Sequence, residues 1–270
     1  MTMPFYVSPE QLMKDRADFA RKGIARGRSV IVLGYDGGML FVADNPSRTL
    51  NKVSEIYDRI AFAAVGKYNE FENLRVAGIR YADLRGYSYD RADVTARALA
   101  NAYAQTLGTV FTQESKPYEV ELVVAEVGPV AGDDQIYRLT FDGSVADEQG
   151  FVAIGGESGR LSGGLAQVWR PELSLVEALR IAVELLGSSH GTPAAEAEPA
   201  PVGGQPAPNP THLEVALLDR TSPRRAFRRV PPDLTAALVS AADPTSGLPR
   251  AAAGRPGEQL STNPHTQHPH

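Results

Sequence analysis

Ser29-Val30-Ile31-Val32-Leu33, then Tyr35-Asp36-Gly37-Gly38, then Met39-Leu40-Phe41-Val42-Ala43 is the stretch that decides the fold. Each apolar run has the length of a buried strand. Asp-Gly and Gly-Gly between them tolerate positive φ and turn the chain back as a hairpin.

Working outward, Lys52–Tyr57 alternates with period two, and after Asp58-Arg59 the run Ile60–Val65 is another buried strand ending at Gly66. Two helices follow. Tyr68–Leu84 places Phe71, Leu74, Arg75, Gly78 and Ile79 near one face, and Arg91–Gln113 carries an apolar stripe from Val94 to Val110. Strands resume at Glu119–Ala125, Gln135–Phe141 and, past a turn at Asp142-Gly143-Ser144, at Phe151–Gly155. Helices over Leu161–Trp169 and Leu175–Leu186 complete a second pair.

Upstream of the hairpin, Ser8 caps a helix, Pro9 suits its first position and Gln11 can close a capping box. Leu12, Arg16, Phe19 and Gly23 continue at helical spacing, with an end expected near Gly23 or Gly27. Met1–Val7 is read as an irregular arm. Residues 188–209, rich in Pro, Gly, Ala and Glu, are read as a flexible insertion. A strand at Leu213–Leu218, a basic extended segment at Arg224–Val230 and a short helix at Asp233–Ala241 follow, with a disordered tail over 242–270. Strands in the middle with helices in pairs predict an α+β protein, a four-layer α-β-β-α sandwich over residues 8–241.

Composition narrows the chemistry. A formal net charge of −5 argues against a nucleic-acid binder. With no cysteine, disulfides, thiolate metal sites and a cysteine nucleophile are ruled out, which fits a cytoplasmic chain. The five histidines are His190, His212, His265, His268 and His270, so the commonest general base is missing from the first two thirds of the chain. The N-terminus has no secretory signal pattern, and no stretch nears the ~18 apolar residues of a membrane span. No cofactor or metal is expected.

Several segments, in order, resemble the α-subunits of actinobacterial proteasomes. They are Tyr6–Gln11, Arg21–Arg26, Asn45-Pro46-Ser47-Arg48, Asp58–Ala63, Gly66–Phe71, Arg85–Arg91, Lys116–Leu122 and Arg224–Arg229. The resemblance implies the N-terminal-nucleophile hydrolase fold. It also implies seven-membered rings of this chain, capping rings of catalytic β-subunits. The implied substrate is unfolded protein tagged with a small protein modifier and delivered by a ring-shaped ATPase.

Catalytic relatives begin their first strand with a threonine whose free amine is the base, so nothing can precede it. Aligning the hairpin turns puts Arg28 at that place, behind a long helix. Asp44 and Lys52 fall near the relatives' acid and lysine, yet without the nucleophile no catalytic residue is assigned. The alternative is a self-processing hydrolase cleaved before Ser29; a further one is an unrelated binding module on the same fold. By resemblance, Lys52 lines a pocket between neighbouring subunits that takes the C-terminal carboxylate of the ATPase, with Gly23 and Gly66 as matching pocket positions. Met1, Thr2, Met3, Pro4, Phe5, Tyr6 and Val7 would form the gate. Gly155–Arg160 lacks the ending of a P-loop and is read as a strand-to-helix turn. Arg224–Arg229 is read as a subunit contact or sheet edge.

Overall fold

The computed structural model describes residues 8–47, 49–187 and 212–241; the segments expected as a gate arm (1–7), a flexible insertion (188–209) and a disordered tail (242–270), and Arg48, lie outside the described residues. The elements run α1 (Pro9–Ala25), β1 (Val30–Tyr35), β2 (Gly38–Asp44), β3 (Val53–Tyr57), β4 (Ile60–Gly66), α2 (Tyr68–Ser88), α3 (Ala96–Gln113) and β5 (Val120–Glu126). They continue with β6 (Gln135–Leu139), β7 (Val145–Glu148), β8 (Phe151–Ile154), α4 (Ser158–Val168), α5 (Leu175–Gly187), β9 (Leu213–Asp219), β10 (Phe227–Val230) and α6 (Pro232–Ala241).

The expected hairpin forms: β1 pairs with β2 from Val30↔Ala43 to Tyr35↔Gly38. Two five-stranded antiparallel sheets result, in the orders β10-β9-β2-β1-β8 and β3-β4-β5-β6-β7. Side chains alternate across each strand, so a strand apolar on both faces serves two cores at once. Val30, Val32, Met39 and Phe41 meet Ala61, Ala63, Val123 and Ala125 between the sheets. Ile31, Leu33, Leu40 and Val42 face away, onto Leu161 and Leu165 of α4 and Leu179 and Ala182 of α5. On the other side Phe62, Leu122 and Val124 face Phe71 and Leu74 of α2 and Leu99 and Leu107 of α3. This is the α-β-β-α sandwich.

The structure differs from the sequence expectation in several places: α4 starts at Ser158 and not at Leu161, and β6 ends at Leu139 and not at Phe141. β7 was not foreseen, because Val145–Ala146–Asp147 are all exposed and no apolar periodicity marks them. α2 runs on to Ser88. The next helix starts at Ala96, not Arg91: Thr95 caps it, its Oγ1 accepting from Ala98 N at 3.2 Å, while Arg91–Asp93 form a separate short turn.

α2 and α3 approach closely at Gly78, where an added Cβ would overlap the Tyr103 hydroxyl. That hydroxyl is buried with no hydrogen-bond partner among the described residues, and burial pushes the phenol well above its usual value. An orphaned buried hydroxyl costs about 1–3 kcal/mol. Tyr103→Phe should therefore leave thermal stability unchanged or raise it by about 2–4 °C. A fall of that size in a melting curve would contradict this account.

α1 crosses one end of the sandwich. Ser8 caps it, accepting from Gln11 N at 3.2 Å. Ala20 and Ile24 pack on Phe141. Arg16 reaches the C-terminal end of α3, donating to the carbonyls of Phe111 (2.8 Å) and Glu114 (2.7 Å), where the helix leaves its last carbonyls unpaired.

Candidate functional site

The C-terminal end of α1 delivers the chain to the start of β1. Gly27 N donates to Ile24 O at 2.8 Å, closing the helix at Ala25 and not at Gly23. The next residue, Arg28, has its α-nitrogen in a peptide bond and carries no hydroxyl. Its guanidinium Nη1 donates to both carboxylate oxygens of Asp44, each at 3.1 Å. Lys52 comes to the same place from the loop between β2 and β3. Its Nζ donates to Arg28 O at 2.6 Å and to Asp44 O at 3.0 Å. The structure thus gathers Arg28, Asp44 and Lys52 into one cluster.

Lys52 is half-buried. Burial lowers its ammonium to about 8; Asp44 and Glu214 pull it upward and Arg28 pushes it further down. An ammonium has three donors, and two are committed to backbone carbonyls. An incoming carboxylate would add a charge-assisted bond, stronger than those to the neutral carbonyls.

Gly66 ends β4 near this cluster. Lys52 O accepts from Ala64 N at 3.0 Å, two residues before Gly66, and a Cβ added at Gly27 would lie 3.3 Å from Gly66 N. Gly66 has φ +119°, and an added Cβ would overlap the carbonyl oxygen of Glu119. Gly23 lies one turn back along α1, where an added Cβ would overlap the Glu119 side chain. Gly66 is therefore required by the backbone of Glu119, while Gly23 leaves room for the Glu119 side chain. The Glu119 carboxylate is in turn held by Lys116 at 2.8 Å. Sequence reasoning did not single out Glu119; its signal was a charged residue leading an apolar strand.

Glu214 of β9 was missed as well. Its side chain is only 8% exposed and accepts from Lys52 N (2.9 Å), Val53 N (3.1 Å), Asn45 Nδ2 (2.7 Å) and Arg229 Nη1 (2.6 Å). The pairing with Arg229 shows what the basic run 224–229 does: Arg225 pairs with Glu55 at 2.6 Å, Arg228 with Asp219 at 3.4 Å, and Arg229 with Glu214. β10 is a charged edge strand, which resists pairing with another chain. Gly155–Glu157 make the expected strand-to-helix turn, with Ser158–Arg160 already the first turn of α4; a Cβ on Gly156 would overlap Ala25 O, so the turn seats the end of α1.

No group of three or more metal-binding side chains occurs among the described residues, and no helix there is long and apolar enough to cross a membrane.

The family model described as "Proteasome subunit" matches residues 24–199. Curated relatives called proteasome subunit alpha are similar over nearly the whole chain. That of Sanguibacter keddieii is 67% identical over 248 residues, covering 92% of this chain and 93% of the relative. That of Xylanimonas cellulosilytica is 70% identical over 230 residues (85% and 93%), and that of Thermobifida fusca 57% identical over 242 residues (90% and 92%). The chain belongs to the proteasome subunit family, as an alpha-type subunit of the kind found in actinobacteria.

Proposed function

We propose that this alpha subunit is a non-catalytic ring builder: it forms the outer seven-membered rings of a cytoplasmic core particle, gates substrate entry and docks a ring-shaped ATPase. The observation that carries the reading is the head of β1. Where a terminal nucleophile would stand there is Arg28, clamped on Asp44, with Lys52 set against the same backbone. Peptide-bond chemistry then belongs to partner β-subunits. The exposed side of α1 carries Leu12, Met13 and Phe19, apolar surface that suits a neighbouring copy in a ring. Unfolded proteins tagged with a small protein modifier would be the substrates.

Docking is assigned to the mouth around Lys52, Gly66 and Gly23, where a chain-terminal carboxylate would pair with the ammonium. The pH dependence follows from its depressed value. The free ammonium titrates near 8, and a docked carboxylate raises that value, because the opposite charge favours the protonated form. Affinity is therefore full below about 8 and falls as pH rises through that value, by up to about tenfold per unit until the value in the complex is reached. Anisotropy of a labelled ATPase C-terminal peptide on the assembled particle, from about pH 6.5 to about pH 9.5, measures this. A flat profile would contradict the depressed titration, and equal affinity in Lys52→Ala would remove Lys52 from the docking site.

Met1–Val7 are assigned to the gate, as copies of a short arm meeting on the ring axis, with Phe5 and Tyr6 supplying apolar bulk. Docking at the C-terminal end of α1 would move that helix and bias the arm. Deleting Met1–Val7 should raise hydrolysis of a fluorogenic peptide by the assembled particle several-fold. Unchanged hydrolysis would count against the gate.

A further inference from the structure

We propose that Glu214 is the positioning residue for Lys52, fixing where the docking lysine stands. The proposal rests on the docking role given to Lys52 above. β3 is an edge strand of its sheet, so one side of its backbone has no strand partner. Side chains from the other sheet take that place. Glu214 accepts from Lys52 N and Val53 N at 2.9 and 3.1 Å, while Arg229 Nη2 donates to Val53 O at 2.8 Å. The same carboxylate takes Asn45 Nδ2 at 2.7 Å, and Asn45 Nδ2 also donates to Leu50 O at 2.8 Å. One buried carboxylate thus closes both ends of the loop between β2 and β3. With Lys52 N fixed there, its stem places Nζ on the carbonyls of Arg28 and Asp44.

The charge works alongside the geometry. Burial drives Lys52 toward the neutral amine, and the carboxylates of Asp44 on β2 and Glu214 on β9 oppose it. Arg28, ahead of β1, acts in the same sense as burial. Arg229 on β10 pairs with Glu214 at 2.6 Å and so offsets part of its field at Lys52. Removing the negative charge of Glu214 should lower the ammonium's titration midpoint, and removing the positive charge of Arg229 should raise it. Both changes damage the same buried network, so a merely structural role would move both variants the same way.

The test uses particles assembled with the β-subunit, checked by native mass, carrying wild-type chain, Glu214→Gln, Arg229→Met or Lys52→Ala. The acylation rate of Lys52 by acetic anhydride, followed by peptide mass against pH, gives the midpoint without any docking partner. The expected wild-type midpoint is about 8. Glu214→Gln should lie about one unit lower and bind the ATPase C-terminal peptide about fivefold more weakly at pH near 8. Arg229→Met should shift upward. Equal midpoints, or shifts of the two variants in the same direction, would overturn the role of Glu214. Opposite shifts with peptide binding unchanged even in Lys52→Ala would instead overturn the docking role on which the proposal rests.

Discussion

Gly66→Ala should unfold the C-terminal end of β4 and prevent assembly. Gly66 holds φ +119°, a conformation that side-chain-bearing residues rarely adopt, and an added Cβ would overlap a backbone atom, Glu119 O. A backbone oxygen in a paired strand cannot rotate aside as the tip of a side chain can: Gly66 faces Val120 in the β4–β5 register, and Lys67 N donates to the same Glu119 carbonyl at 2.9 Å. Conformational strain alone costs about 1–3 kcal/mol, and displacing the strand adds to it. We expect a loss of at least about 3 kcal/mol, seen as a fall in melting temperature of about 6–12 °C or as insoluble protein. Gly163→Ala is the matched control. It lies within α4 with nothing close to an added Cβ, and should be neutral or gain up to about 1 kcal/mol. A Gly66→Ala protein that melts with the wild type would contradict the packing described around Glu119.

Lys52→Ala should weaken ATPase docking and spare the particle's own peptide hydrolysis. The variant removes the ammonium that Arg28 O and Asp44 O hold in place. A hydrogen bond to a charged group contributes about 1.5–3 kcal/mol, so affinity for the C-terminal peptide should fall about 10- to 100-fold. The bond released at Arg28 O is exposed and that at Asp44 O only part-buried, so the fold should survive. Peptide hydrolysis without the ATPase should match wild type, because the proposal gives Lys52 a part in docking and none in the chemistry. Wild-type affinity in the variant would refute the assignment; lost hydrolysis would mean that the substitution disrupts assembly.

The central hairpin was legible because two apolar runs flank an Asp-Gly-Gly turn, and both faces of those strands are in fact buried. Helix ends were less legible. α2 was expected to end at Leu84, yet it runs on through Gly86, where the Tyr57 hydroxyl occupies the space a Cβ would need. Tertiary packing there overrides local preference. β7 carries no signal, since its first three residues are exposed. At the site, Lys52 stood out only through resemblance: a lone lysine at a strand start has no distinguishing pattern. Glu214 was invisible for a different reason. Its donors come from residues 45, 52, 53 and 229, brought together only when the two sheets stack. Gly23 and Gly66 were noticed for a peptide's approach; that both also lie against Glu119 of this chain could not be read from the sequence.

The most direct test of the ring-building, non-catalytic reading is co-expression with the β-subunit of the same genome, followed by native mass and hydrolysis of a fluorogenic peptide. The account predicts a four-ring particle containing this chain with its N-terminal helix intact, active only when the β-subunit keeps its terminal threonine. Failure to co-assemble, loss of the residues before Ser29 by self-cleavage, or peptide hydrolysis by this chain alone would contradict it.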